Sequence, residues 1–490
     1  MLLDAINYEK GQISQNYYKR RKKNSTAIVD VYVMPFSHVD PGWLETFSNY
    51  LNNTNAILDN MVIFLKQKPR MRFLWCEIAF FERWWSLQNE TTKNLVRRFV
   101  SSKQLEIASG SWVMTDEANT YFPSIIDNII EGQQFVYSQL NVQARVMWSN
   151  DPFGYSSSVP YLFANTGVKR AVINRIHHNL KLFLREHGAL SFRWRQFFDA
   201  KGESDMYTQV LPYNHYDILN SCGSDAAICC EFDFKRLNHF GCPDEIPVVS
   251  TQSNIPERAS KLEKSFLKMS SDLQSNVLLS VWGDDFRYAL LEEWHQQYDN
   301  LIVLFDYINK HSNRMRIRFG TLTEYFDALE KNSRREKLES ATLSGDFFPY
   351  KCPSHDYWTG YYTTRPFYKR QERDLHSFIR AADLLSTSAL RKLSINRNEI
   401  VNKKLTVARR NLALFQHHDA ITGTSKNHVM KDYSQRMFES LKSVENVLKT
   451  ALDSFVPLHN FEIVFTCFFR IHFRNSNFYK IFSFTQCLLL

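Results

Sequence analysis

The chain has 490 residues, of which 44% are hydrophobic and 23% are charged, an ordinary globular composition that allows two or three domains. Its formal charge of +9 is a mild bias for 60 basic and 51 acidic residues. The dense basic run KRRKK at 19–23 has no RNA- or DNA-binding motif beside it. We therefore expect a solvated basic tail at 1–27 and no nucleic-acid partner.

Residues 28 to about 325 repeat one pattern, in which a short β-rich run ends in polar residues and a helical stretch often follows. The runs are VDVYVMPFSHVD, MRFLWCE, LEIASGSWVMTDE, RVMWSNDPFG, RAVINRIH, MYTQVLPYN, VLLSVWGDD and IRFG. Nearly continuous apolar strands that alternate with helices predict a parallel sheet covered on both faces. Up to eight such runs predict an α/β fold, a parallel β/α barrel-like catalytic domain at 28–345. Its active site is expected at the carboxyl ends of the strands.

Four of the eight cysteines lie close together in the chain, as Cys222, Cys229, Cys230 and Cys242. They contain no CxxC pair, so local disulfides are favoured over a zinc site, although both interpretations stay open. Disulfides indicate an oxidising lumen.

The pattern changes to helices from about residue 360. Leu405, Ala408, Leu412 and Phe415 recur at helical spacing, and Gly423 follows as a stop signal. A second apolar stripe begins at Tyr433, and the two together predict a helical-bundle domain at 346–455. The tail at 456–490 has no clean period and looks foreign to the preceding sequence.

Neither end of the chain shows a secretory signal or a membrane-spanning stretch. Asp4 and Glu9 interrupt the N-terminal segment, which lacks an apolar core of signal length. Arg470 cuts off the most apolar C-terminal run, IVFTCFF.

Side chains that can carry chemistry follow several predicted strands and one helix. They are His38 and Asp40, Asp151, the pair Asp284 and Asp285, and the triplet His417, His418 and Asp419. Residues two apart on a strand point the same way, and an imidazole beside a carboxylate suits zinc. Taken alone, each group is better explained as a turn, a helix cap or a favourable charge on a helix dipole. Their shared placement on one rim favours a site.

Such a rim can hydrolyse a glycoside. A retaining glycosidase needs two carboxyl groups roughly 5 to 5.5 Å apart, one as nucleophile and one as acid/base. Trp43 offers an aromatic face to a sugar ring, although a core packing role is equally open.

Longer motifs give a family resemblance. HVDPGW, SNDPFGYSS, GDDFRY and FQHHDAITGTSKNHVMKDY resemble the α-mannosidases of glycoside hydrolase family 38. SCGSDAAICCEFDFKR, TLSGDFFPY and YWTGYYTTRP are similar to further segments of that family, in the same order, from about residue 28 to 450.

The resemblance implies a role for each rim residue. The implied Zn²⁺ ligands are His38, Asp40, Asp151 and His418. Asp151 is also implied to be the nucleophile that forms a covalent glycosyl-enzyme, and Asp285 the general acid/base. The implied sugar contacts are Trp43, Phe153, Arg175, Tyr216 and Asp419. The implied disulfides are Cys222–Cys229 and Cys230–Cys242.

The resemblance also implies a substrate and a location. The substrate would be an N-linked glycan that loses terminal α1,3- and α1,6-linked mannose, and the location the Golgi lumen, with a homodimer as one arrangement. Val39 stands where the family usually has Asn, at a position that is not a ligand. Family members carry a membrane anchor before this region and β-rich domains after it, so we expect a truncated chain.

Two other functions stay open. The chain could be an inactive fragment that binds zinc and mannose but lacks the β domains needed for turnover. It could also be another metal-dependent hydrolase, such as a sugar deacetylase, whose metal activates water. Covalent trapping of Asp151 by a fluorinated mannoside separates the mannosidase from the deacetylase.

Overall fold

The structure is a computed structural model. It describes residues 27–236, 247–336 and 340–455, and the backbone of 462–466, 470–475 and 478–483. The expected basic tail, apart from its last residue, and Cys242 of the expected Cys230–Cys242 pair fall outside these described residues.

The described strands are short and follow the chain in the order β1 to β13. They are β1 Val29–Pro35, β2 Phe73–Trp75, β3 Leu105–Ile107, β4 Val146–Ser149, β5 Arg170–Ile173, β6 Ser191–Arg195, β7 Met206–Val210, β8 Val277–Trp282, β9 Met315–Phe319, β10 Ala341–Ser344, β11 Glu462–Thr466, β12 Arg470–Asn475 and β13 Phe478–Ser483. The last three form a separate antiparallel sheet.

The α/β part is built on parallel pairs. β1 lies between β8 and β9, β2 pairs with β3, and a five-stranded sheet has the order β10-β6-β7-β5-β4. β6 pairs with β7 in the antiparallel sense, and the other pairs of that sheet are parallel. A bridge from Phe36 to Leu74 joins β1 to β2, and Ser109 N donates to Val146 O at 2.8 Å to join the end of β3 to β4. The α/β class is confirmed, and these bonds trace a barrel-like but open arrangement.

Helices surround these strands and then take over the chain. In the α/β part they are Phe47–Gln67, Ile78–Ser86, Glu90–Ser101, Phe122–Leu140, Ser158–Asn165, His178–Glu186, Ala226–Cys230, Ile255–Leu273, Leu291–His311 and Leu322–Glu336. Because β1 is buried along almost its whole length, the helices cover both of its faces. No helix among the described residues is long and apolar enough to span a membrane.

Three long helices form the segment that follows: Pro366–Ala389, Ile395–Phe415 and Asn427–Asp453. Leu375, Leu412 and Met437, one from each helix, are fully buried in the same core cluster as β1. Arg409 Nε donates to Glu131 Oε1 at 2.7 Å, which ties the middle helix to helix Phe122–Leu140. The helical segment is therefore packed directly on the α/β part.

Candidate active site

The first side chains of the site extend β1 beyond its last regular residue. His38 N donates to Asp284 O at 3.1 Å, and Phe286 N donates to His38 O at 2.7 Å. These two bonds continue the β1–β8 pairing past both strand ends, so His38 and Asp285 lie opposite each other. The carboxyl ends of parallel strands are where polar ligands are expected to converge.

The turn after Asp40 is held by the helical segment. Gly42 has φ +120°, and a Cβ atom there would lie 2.3 Å from Tyr433 Oη. That hydroxyl donates to Pro41 O at 2.6 Å, and Lys426 N donates to Trp43 O at 3.0 Å. Trp43 is thus fixed, half-buried, on a turn that only glycine allows to pack this closely.

A second pairing brings in His418 from the end of helix Ile395–Phe415. Asp116 N donates to Gln416 O at 2.9 Å, and Thr115 forms an antiparallel bridge with His417. His418 Nδ1 lies 3.1 Å from the carbonyl oxygen of Met114, which can only accept a hydrogen bond. The proton of a neutral His418 is therefore on Nδ1, and Nε2 offers its lone pair to the site.

Two histidines and two aspartates meet at this point. His38 Nε2 lies 2.9 Å from Asp40 Oδ1 and 3.5 Å from Asp151 Oδ2. His418 Nε2 lies 3.2 Å from Asp40 Oδ1 and 3.1 Å from Asp151 Oδ2. All four side chains are buried, and one ligand atom from each lies within 4.8 Å of the others. Two imidazole nitrogens and two carboxylate oxygens form a donor set that could hold a metal ion.

The two oxygens of Asp151 have different partners. Oδ2 faces the histidines, whereas Oδ1 accepts from Arg175 Nε at 2.7 Å and also from Arg175 Nη2. Burial opposes ionisation, but the positive charge of Arg175 outweighs it, together with the hydrogen bonds that His38 and His418 donate when their rings are protonated. The pKa of Asp151 is therefore lowered well below its usual value. Asp151 is therefore a carboxylate with a fixed orientation.

Asp285 has the opposite protonation preference. Burial raises its pKa to about 6, and the negative charges of Asp40 and Asp151 add to the increase, although His38 opposes it. Tyr216 Oη donates to Asp285 Oδ1 at 2.8 Å. The rim thus holds one carboxyl group that stays ionised and one that is protonated in mildly acidic solution, as an acid/base pair requires.

Residues 28–353 match the model of the glycosyl hydrolases family 38 N-terminal domain, and residues 356–455 match the α-mannosidase middle domain. This chain belongs to glycosyl hydrolase family 38. The family expected from the sequence motifs is therefore confirmed.

Relatives of this family 38 chain agree with that result. It is 43% identical to α-mannosidase 2 of Homo sapiens over 437 residues, which cover 86% of this chain and 38% of that protein. It is 40% identical to α-mannosidase 2 of Drosophila melanogaster over 441 residues, or 89% of this chain and 39% of that protein. This chain thus spans less than half the length of the curated relatives that it matches.

A solved structure shares the fold of this family 38 chain. The crystal structure of an α-mannosidase from Enterococcus faecalis V583 superposes with a TM-score of 0.62 at 12% identity. The match covers 91% of this chain and 46% of that one. At this identity the likeness concerns the fold alone.

The remaining expected sugar contacts surround the donor set. Phe153 has its ring centroid 6.1 Å from that of His418, and Tyr216 has its centroid 5.1 Å from that of His38. The Arg175 guanidinium lies 5.8 Å from the Phe153 ring. Asp419 is buried, and its Oδ2 lies 3.7 Å from His417 Nε2. The structure thus brings aromatic faces and polar groups to one place, as a sugar site requires.

Sequence reasoning missed the residues behind His418. Glu77 is buried, and its carboxylate accepts Met114 N–H at 3.0 and 3.3 Å, while Met114 O accepts from His418. Burial raises the pKa of Glu77 to about 7, although the nearby histidines oppose the shift. Nothing in the sequence connects residues this far apart, so only the three-dimensional contact reveals Glu77.

Proposed function

We propose that this chain is a retaining, zinc-dependent α-mannosidase that removes terminal α1,3- and α1,6-linked mannose from N-linked glycans. The observation that carries the proposal is a buried and a half-buried carboxyl group, Asp151 and Asp285, with pKa values shifted in opposite directions beside a two-His, two-Asp donor set. The similarity to α-mannosidase 2 from several animals supports mannose as the sugar that is removed.

The donor set fits zinc, which binds imidazole nitrogen and carboxylate oxygen in proteins. We propose His38, Asp40, Asp151 and His418 as its ligands. His417 supports a polar occupant nearby, because both of its ring nitrogens are buried and have no hydrogen-bond partner among the described residues. Zinc would supply a Lewis acid that binds hydroxyl groups of the mannose.

Asp151 is proposed as the nucleophile. One of its oxygens attacks the anomeric carbon, a C–O bond to the enzyme forms, and the glycosidic C–O bond breaks. Arg175 keeps the carboxylate ionised and fixes one oxygen, so the attacking group is oriented before the sugar binds.

Asp285 is proposed as the general acid/base. Since Tyr216 donates to Oδ1, the proton of the neutral acid sits on Oδ2. That proton goes to the leaving oxygen in the first step. In the second step the resulting carboxylate removes a proton from a water molecule, whose oxygen bonds to the anomeric carbon as the C–O bond to Asp151 breaks. Trp43, Phe153, Tyr216, Arg175 and Asp419 are proposed to contact the mannose.

We further propose that the protein works in the Golgi lumen. The Cys222–Cys229 disulfide supports an oxidising compartment, since such bonds are rare in the cytosol. A homodimer remains a prediction.

Hydrolysis of 4-nitrophenyl α-mannoside by the zinc-loaded chain tests the proposal. We expect turnover in the unmodified chain and none in Asp151→Asn. A 5-fluoro mannoside should label the peptide that contains Asp151, as seen by mass spectrometry. A folded, zinc-loaded chain without turnover or label would contradict the mannosidase function. It would instead favour a chain that only binds zinc and mannose.

A further inference from the structure

The segment that carries Asp285 has an unusual backbone. Phe286 has φ +49° and Tyr288 has φ +68°, so two large residues occupy the left-handed region within three positions. Residues other than glycine and asparagine adopt this region at a cost in free energy, and such strain persists only where surrounding contacts impose it. The contacts that impose it here must therefore be identified.

Arg287 lies between the two strained residues and points into the protein, where it is only 4% exposed. Its Nη2 donates to Asp233 Oδ1 at 2.7 Å and its Nη1 to Asp233 Oδ2 at 3.1 Å. Its Nε donates to Glu293, whose other oxygen accepts Tyr288 N–H at 2.8 Å. Two buried acids thus hold the side chain at the middle of the turn and the backbone at its end.

Asp233 belongs to a loop that contacts the Asp285 segment a second time. The loop runs from Tyr216, which donates to Asp285, to Asp233, which binds Arg287. The Cys222–Cys229 disulfide closes its middle, and Ser280 Oγ donates to Ser221 O at 2.7 Å, which fixes the loop to β8. A single fixed loop therefore holds both ends of the segment that carries Asp285.

A direct role for Arg287 in sugar binding does not fit these contacts. Its guanidinium is buried and already bound to two carboxylates, and the bidentate geometry is one that lysine cannot reproduce. Replacing the Asp233 carboxylate removes the bidentate partner of the buried guanidinium and leaves it with Glu293, so the turn should relax when the pair is broken.

We propose that Asp233, Arg287 and Glu293 are positioning residues that hold the Phe286–Tyr288 turn and so aim the Asp285 carboxyl group at the leaving oxygen. The inference rests on the proposed role of Asp285 as general acid. The two carboxyl groups are then positioned by different contacts. Asp233, Arg287 and Glu293 position Asp285, whereas Arg175 and the donor set position Asp151.

The effect on Asp285 can be distinguished from an effect on Asp151 by comparing kcat/KM for substrates with different leaving groups. A 2,4-dinitrophenolate leaves without protonation, whereas a 4-methylumbelliferyl or methyl leaving group requires a well-placed acid. In Asp233→Asn, kcat/KM should fall about tenfold or more for the poorer leaving groups and change little for 2,4-dinitrophenyl α-mannoside. Bound zinc should be unchanged.

Asp205→Asn is the control. It makes the same chemical change in a more exposed bidentate pair, in which Arg195 donates to Asp205 at 2.9 and 2.7 Å, next to the amino end of β7. We expect no dependence on the leaving group in this variant. Equal losses for all leaving groups in Asp233→Asn, or no loss, overturn the inference.

Amide hydrogen exchange decides the inference independently of activity. Exchange at 284–288 should be faster in Asp233→Asn, and in Glu293→Gln if the first variant does not fold, but unchanged in Asp205→Asn. Unchanged exchange at 284–288 in the folded variant overturns the inference. An unmodified chain with no turnover of any mannoside would instead refute the proposed function, and the exchange result would still stand.

Discussion

The two ends of the parallel strands differ in how their charges are used. A cleft of about 760 Å³ lies at the amino ends of β3, β4 and β5, lined by Lys103, Arg145 and Lys169 among others. Two charged groups of this cleft have structural partners: the Glu106 carboxylate accepts Leu322 N–H at 2.6 Å at the start of helix Leu322–Glu336, and Arg170 binds Asp327 at 2.8 Å.

The carboxyl ends of the strands hold more constrained chemistry. There, buried imidazoles and carboxylates converge, and polar atoms of Ser37, Asn150 and His417 have no hydrogen-bond partner among the residues that the structure describes. The comparison teaches that convergent buried polar groups, rather than an open cleft alone, mark the candidate site.

The largest expected effect comes from removing a donor at the carboxyl ends. His418→Ala leaves three of the four proposed ligands, so zinc content should fall to background and mannoside turnover should disappear. Metal analysis by mass spectrometry after dialysis checks this. The control His311→Ala, which alters an exposed histidine, should keep its zinc content and its turnover. Full zinc content in His418→Ala would contradict the proposal that His418 is a zinc ligand.

Asp285→Asn should lower kcat/KM for 4-nitrophenyl α-mannoside by about 10²- to 10⁴-fold, the range of general acid catalysis. Because the pKa of Asp285 is raised to about 6, its acid form is lost as the pH rises through that value. The rate of the unmodified chain should therefore fall above about pH 6, and the variant should lack this decline. A pH–rate profile measures both, and a decline that persists in the variant would argue against Asp285.

Glu77→Ala should weaken zinc binding by about 10- to 100-fold, as for other residues that orient a metal ligand through a hydrogen bond. The reason is that Met114 loses the acceptor that holds its carbonyl toward His418. Competition with a chelator measures the affinity. Glu77→Gln keeps an oxygen acceptor and should stay close to the unmodified chain, so equal losses in both variants would exclude this role.

The smallest effect should come from the amino-end cleft. Asp327→Asn breaks an ion pair whose acid is 52% exposed, so the free energy of unfolding should change by less than about 0.5 kcal/mol. Chemical denaturation and mannoside assays should both resemble those of the unmodified chain. A large loss of turnover would contradict this expectation, because it would mean that the amino-end cleft affects the site at the carboxyl ends of the strands.

Much of the α/β part could be predicted from the sequence. Each of the eight predicted runs contains a strand, because apolar segments buried on both faces have a clear pattern. β6 and β10 are not among the predicted runs, since polar residues alternate with apolar ones in SFRWR and ATLS. The antiparallel β6–β7 pair corrects the expectation of a parallel sheet.

The site divides in the same way. His38, Asp40, Asp151 and His418 could be predicted to meet, because strand ends share one edge and a family motif is similar at each. Glu77, Asp233 and Arg287 could not, because each acts through a contact with a distant part of the chain. Their residue types alone favour ordinary helix ends and surface ion pairs.

The origin of His418 has a thermodynamic consequence. It comes from the helical segment, whereas the donor Asp151 that it faces comes from the α/β part, 267 residues earlier. An ion that binds only this assembled arrangement favours the docked state by mass action, by about 2.7 kcal/mol when its free concentration is a hundred times Kd. The melting temperature should then rise with the concentration of free zinc. In a cell, the folded lifetime of the protein would depend on the zinc concentration of its compartment.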